Sequence, residues 1–79
     1  MRIPRDIGAE KLIAMMKRHG YQITRQRGSH IRLERNEGGK VHRISIPNHN
    51  PVKVGTLHDI LQDLARNLEI SIEDLVSKL

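Results

Sequence analysis

Between Tyr21 and Pro47 apolar residues recur at every second position, as Tyr21 and Ile23, Ile31 and Leu33, and Ile44 and Ile46, in three runs separated by the "GSH" of 28–30 and the "NEGG" of 36–39. A period of two dictates strands with one face toward a core and the other toward solvent. "YQITRQR" reads as a first strand. "HIRLER" reads as a second, with Ile31 and Leu33 inward and His30, Arg32 and Glu34 outward, and "KVHRISIP" as a third, with Ile44 and Ile46 inward. "GSH" has room for little more than a tight turn, "NEGG" carries a hairpin signal, and Pro47 ends the third strand because it cannot donate to a ladder. The result is an antiparallel meander. Its apolar face, expected to hold Ile23, Ile31, Leu33, Ile44 and Ile46, must be covered by another layer.

The flanking segments supply that layer. "AEKLIAMMKRHG" sets Ala9, Leu12, Ile13 and Met16 on one helical stripe, with Glu10 early, Lys17, Arg18 and His19 late to suit the helix dipole, and Gly20 as a left-handed stop. Asp6 and Gly8 are both candidates for its N-cap. "NHNPVKVG" is a loop. After it, Leu57, Ile60, Leu61, Leu64 and Leu68 recur at helical spacing, and Thr56 with Asp59 predicts a capping box. Ser71 and Asp74 repeat that spacing ahead of Leu75 and Val76, which predicts a short C-terminal helix at about 71–78. The expected fold class is α+β: a two-layer domain spanning residues 1–79, with a three-stranded antiparallel sheet, helices on one face, and the order α-β-β-β-α(-α). A chain of 79 residues buries only about 60% of its unfolded surface, so the core must be compact.

Composition narrows the setting. With no cysteine there is neither a disulfide framework nor a thiolate metal site, which suits a reducing compartment. No apolar run reaches the length of a membrane span and "MRIPRD" has no hydrophobic signal segment behind it, so a cytoplasmic location and no membrane partner are expected. The net charge is +5, and it is unevenly spread: residues 1–55 hold 12 Lys/Arg against 4 Asp/Glu, residues 56–79 hold 2 against 5. Basic residues that alternate with apolar ones lie on a folded surface, and such a surface suits an anionic partner, most commonly nucleic acid. With a single tyrosine and no Phe or Trp, the chain lacks a base-stacking platform, so a nucleic acid must be held by its phosphates and its shape.

The charge is densest in "RQRGSHIRLER", where four arginines surround Gly28, Ser29 and His30. Alternation puts Arg32 outward with His30, whereas Arg25 and Arg27 fall on the apolar parity of their strand and are expected at its fraying end or flanking the site. Two readings of His30 follow. It is one more polar side chain on a solvated sheet, or the arginines hold an anion where the imidazole acts on it.

"HGYQITRQRGSHIRL", then "ISIPNH", then "VGTLHDIL" resembles the HicA family, the toxic half of HicA–HicB toxin–antitoxin modules, over about residues 8–68. The resemblance implies a fold similar to a double-stranded RNA-binding domain, a messenger-RNA-cleaving endoribonuclease activity, and a HicB-type antitoxin that covers the active surface. The family's catalytic histidine falls on His30. Members often carry a second histidine or an aromatic after this motif, where the chain has Ile31 and Leu33 on the packing side.

The residues suit that chemistry. Imidazole titrates near neutrality and can take a proton from a ribose 2′-hydroxyl or give one to a leaving 5′-oxygen. RNA carries its own nucleophile, so metal-independent cleavage with no cofactor is expected. Arg25, Arg27, Arg32 and Arg43 are candidates for binding phosphate and stabilising the charge that develops on it. Gly28 lets the backbone approach a phosphate or simply makes the turn, and Ser29 offers a hydrogen bond. His49, at a position where the family often has histidine, and Lys53 are candidates for further RNA contacts or for the second proton transfer. His30, His42 and His49 lack the spacing and companions of a zinc site. The alternative is a non-catalytic RNA-binding module of the same fold, or a degenerate toxin retained as a partner for its antitoxin.

Overall fold

The computed structural model describes residues 3–79, so Met1 and Arg2 of "MRIPRD" lie outside the described residues. The elements run α1 (Ala9–Arg18), β1 (Gln22–Arg27), β2 (His30–Glu37), β3 (Lys40–Pro47), α2 (Val54–Leu68) and α3 (Ile72–Ser77). The sheet is antiparallel in the order β1-β2-β3. This is the α+β order expected from the sequence. Among the described residues, no helix is long and apolar enough to cross a membrane.

The α1 stripe buries Ala9, Leu12, Met15 and Met16. Gly8 is the N-cap, without a side-chain hydrogen bond, and a Cβ there would lie 2.5 Å from Asn50 Oδ1, so the missing side chain lets the 48–52 loop close on the helix start. Gly20 stops the helix at φ +94° as expected, and the Arg35 Nε–H donates to the His19 carbonyl at 2.8 Å, satisfying an end-of-helix acceptor. At α2 the capping box is not used. The helix begins three residues earlier, with Lys53 and not Thr56 at the N-cap and Leu57 N–H donating to the Lys53 carbonyl at 2.8 Å, which places Thr56 inside the first turn. Fully buried Val52 and Leu57, anchored by Val52 N–H to the Ile7 carbonyl at 2.7 Å, fix where the helix starts. At α3 the expected cap forms: Ser71 Oγ accepts from the Asp74 N–H at 3.0 Å.

The core is one cluster in which Ile31, Leu33, Ile44 and Ile46 from the inner sheet face pack with Leu12, Met15, Met16, Leu57, Leu61, Leu64 and Leu75 from the helices. Ile23 does not belong to it. All six residues of β1 are exposed, Ile23 at 42%, because this edge strand overhangs the helix layer. Its place is taken by Tyr21, one residue before the strand and 1% exposed. Burial of a phenol needs a partner for its hydroxyl. Tyr21 Oη donates to His42 Nδ1 at 2.7 Å and accepts from Asn67 Nδ2 at 3.0 Å, while His42 Nε2–H faces Asp63 Oδ1 at 3.3 Å. This chain of polar contacts joins the end of α1, β3 and α2 on the helix side of the sheet. Desolvation raises the Tyr21 pKa, against the hydrogen bond from Asn67 and the charge of Arg35, which lower it.

Candidate functional site

The site is built by a two-residue turn. Gly28, at φ +58°, and Ser29 join Arg27 of β1 to His30 of β2, and glycine at the first position is what a type II′ hairpin requires. Because the turn is this short, Arg27 and His30 are cross-strand partners, as the pairing records. Asn48 N–H donates to the Ser29 carbonyl at 2.6 Å, so the loop after β3 pins the turn from below.

Next to the turn, β1 departs from simple alternation. Ile23 pairs with Leu33 but Arg25 pairs with Arg32, so Thr24 is an extra residue, a β-bulge. A one-residue shift moves every later side chain of the strand to the other face. Arg25 and Arg27, expected on the apolar parity, therefore share the outer face with His30 and Arg32. The bulge is fastened by Glu34, whose Oε2 accepts from Thr24 Oγ1 at 3.2 Å and from Arg43 Nε at 3.3 Å.

The outer face is thus arranged in rows two residues apart. The first holds Arg27, His30 and Pro47, the second Arg25, Arg32 and Ser45, and the third Gln22, Glu34 and Arg43, with the bulge residue Thr24 bonded to Glu34. Arg25, Arg27, His30, Arg32 and Ser45 line a shallow depression of about 290 Å³. His30 is exposed and stands among guanidinium groups, not in the aliphatic interior. Among the described residues, Arg25, Arg27 and Arg32 make no salt bridge, whereas Arg43 pairs with Glu34, and Arg35, on the inner parity, pairs with Glu37 at 2.7 Å.

The other candidates lie apart from the depression. His49 lines a separate cavity of about 440 Å³ with Asp6, Gly8, Glu10, Lys11, Asn48 and Asn50 at the start of α1, and Lys53 is the exposed N-cap of α2. Ser45 was not singled out from the sequence; the signal for it was its place between Ile44 and Ile46, which sends its hydroxyl to the polar face. No group of three or more His, Cys, Asp or Glu side chains suited to a metal occurs among the described residues.

Three cations without carboxylate partners, a hydroxyl and an imidazole in one open depression can hold a phosphodiester and move a proton beside it. Comparison with curated proteins and with solved structures finds no match. A family model does match: the one described as HicA toxin of bacterial toxin-antitoxin, over residues 9–65, which includes the whole sheet and most of α2.

Proposed function

Since the chain belongs to the HicA family of toxins from bacterial toxin–antitoxin modules, we propose that it is a metal-independent endoribonuclease that cleaves messenger RNA across the His30 depression. The observation that carries this reading is the convergence of His30 with Arg25, Arg27 and Arg32 on one uncovered face. His30 takes the proton of a ribose 2′-hydroxyl, and O2′ attacks the adjacent phosphorus. The P–O5′ bond then breaks, leaving a 2′,3′-cyclic phosphate on one fragment and a 5′-hydroxyl on the other. Arg27, opposite His30, stabilises the non-bridging oxygens as charge builds on them, and Arg25 and Arg32 hold the RNA backbone beside it. Gly28 brings the turn backbone close to the phosphate and Ser29 adds a donor. Neither His49 nor Lys53 lines the depression, which is open to solvent, so water supplies the proton to the leaving 5′-oxygen. Arg43, His49 and Lys53 serve outer contacts with the RNA.

Family membership brings an antitoxin partner. We propose a HicB-type antitoxin that neutralises the toxin by covering this basic face.

The test is incubation of the purified protein with a long RNA in EDTA, beside the same RNA carrying 2′-deoxyribose at its cleaved positions. The reading expects cleavage of the first, with cyclic-phosphate ends, and none at the substituted positions of the second. Binding without cleavage would assign the fold to an RNA-binding module instead.

A further inference from the structure

Resting on that reading, we propose that the outer face of the β1–β2 hairpin is a track for two consecutive phosphates of one RNA strand. The scissile phosphate lies between Arg27 and His30, and its neighbour lies between Arg25 and Arg32. The track follows from the register. Arg27 opposes His30 and Arg25 opposes Arg32, so each row presents two groups that point the same way across a cross-strand gap. Two residues of strand separate the rows by about 6–7 Å, a span comparable with the distance between consecutive phosphates along an RNA chain.

Charge marks both the need for an anion and the length of the track. Arg25 and Arg32 are like charges directly opposed, an arrangement that disfavours the bare sheet, and neither has a carboxylate partner among the described residues. A phosphate between them turns that repulsion into two charge-assisted hydrogen bonds, with the Ser45 hydroxyl at hand from β3 in the same row. One row further on, Glu34 holds Arg43 and puts a carboxylate on the face, so a third phosphate in the same line meets negative charge. The track therefore ends after two. It runs along the strands, and the substrate it selects is an RNA with a linkage next to the one that is cut. A ligand with a single phosphodiester uses only half of it.

The experiment compares 2′-O-methyl UpU, with one phosphate, and 2′-O-methyl UpUpU, with two, neither of which can be cleaved through the 2′-oxygen. Affinity at low salt is read by NMR titration for the parent and for the variant Arg25→Ala/Arg32→Ala. The second phosphate is expected to tighten binding to the parent by about tenfold, the order of one charge-assisted contact, with shifts at Arg25, Arg32 and Ser45. In the double variant that gain disappears, so that UpU and UpUpU bind alike. The variant's unfolding midpoint in urea is expected to be no lower than the parent's, since it removes a repulsive pair; this separates a binding role from a structural one. An equal gain in parent and variant, or no gain in either, overturns the track. Cleavage of a long RNA by the parent is scored alongside. Cleavage without the arginine-dependent gain removes the track and leaves the nuclease, whereas the gain without cleavage removes the nuclease and leaves the track.

Discussion

Arg32 and Arg43 have the same side chain on the same face, and a single contact divides them. Arg43 Nε is 3.3 Å from a Glu34 carboxylate oxygen, while Arg32 has no salt bridge among the described residues. An arginine already beside a carboxylate releases less counterion when RNA arrives. Arg32→Ala is therefore expected to lower the slope of log affinity against log salt by about 1, and Arg43→Ala by distinctly less, in fluorescence-anisotropy titrations over a salt series. Equal slopes would contradict the assignment of Arg32 to phosphate. Tyr21 yields the second prediction at this scale. Its pKa is raised by burial, so the folded protein keeps the phenolic proton at pH values where the unfolded chain has lost it. The stability associated with Tyr21 is thus fully present below about pH 10 and falls as pH rises through the folded-state value. It is the sole tyrosine, so the near-ultraviolet absorbance of the phenolate follows it alone. Tyr21→Phe strips a partner from both His42 and Asn67 and is expected to cost about 1–2 kcal/mol at neutral pH in urea unfolding. It is also expected to flatten the alkaline loss and to leave RNA cleavage unchanged, because the network lies on the helix side of the sheet.

At the scale of elements, the β1–β2 hairpin brings Arg25, Arg27, His30 and Arg32 into one depression. Its turn needs glycine at position 28, where φ is +58°. Gly28→Ala forces a Cβ into left-handed backbone and is expected to cost about 1–2 kcal/mol in chemical unfolding. Because nothing lies within 4 Å of the added Cβ, the penalty belongs to the backbone and not to a clash. Cleavage should fall with the pairing of Arg27 and His30, and a variant as stable and active as the parent would show that the turn is not what aligns them. Most of this scale was legible in the sequence. Ile31, Leu33, Ile44 and Ile46 fixed which way β2 and β3 face, Gly20 stopped α1, and Ser71 capped α3. The bulge at Thr24 was not legible as such, because pairing with β2 defines it and alternation within one strand does not. A hint was present all the same: two arginines on a supposed apolar parity contradict their own burial, and an inserted residue resolves the contradiction. The early start of α2 was missed for a related reason. The buried anchor Val52 set it, and a local capping pattern at Thr56 carried no information about that packing.

At the scale of the whole molecule, the helices take one side of the sheet and leave the other bare, in a body whose principal extents are 34 × 30 × 17 Å, the thinnest being close to one sheet and one helix layer. The charge follows the same division along the chain, with the basic excess in residues 1–55, which contain every strand, and the acidic excess in residues 56–79 of α2 and α3. With two short hairpins fixing the rows, the bare face holds its cations in place before any ligand arrives, and preorganisation of this kind is what electrostatic catalysis needs. The imidazole in that row is the group proposed to perform the proton transfer. The direct measurement is single-turnover cleavage of one short RNA by the parent and by His30→Ala, with affinity for the same RNA determined in parallel. We predict a cleavage rate reduced by at least about a hundredfold, the usual contribution of a general acid–base group, with affinity within about twofold, since the arginines and not the histidine supply most of the grip. A His30→Ala protein that cuts the RNA at the parent's rate would contradict it.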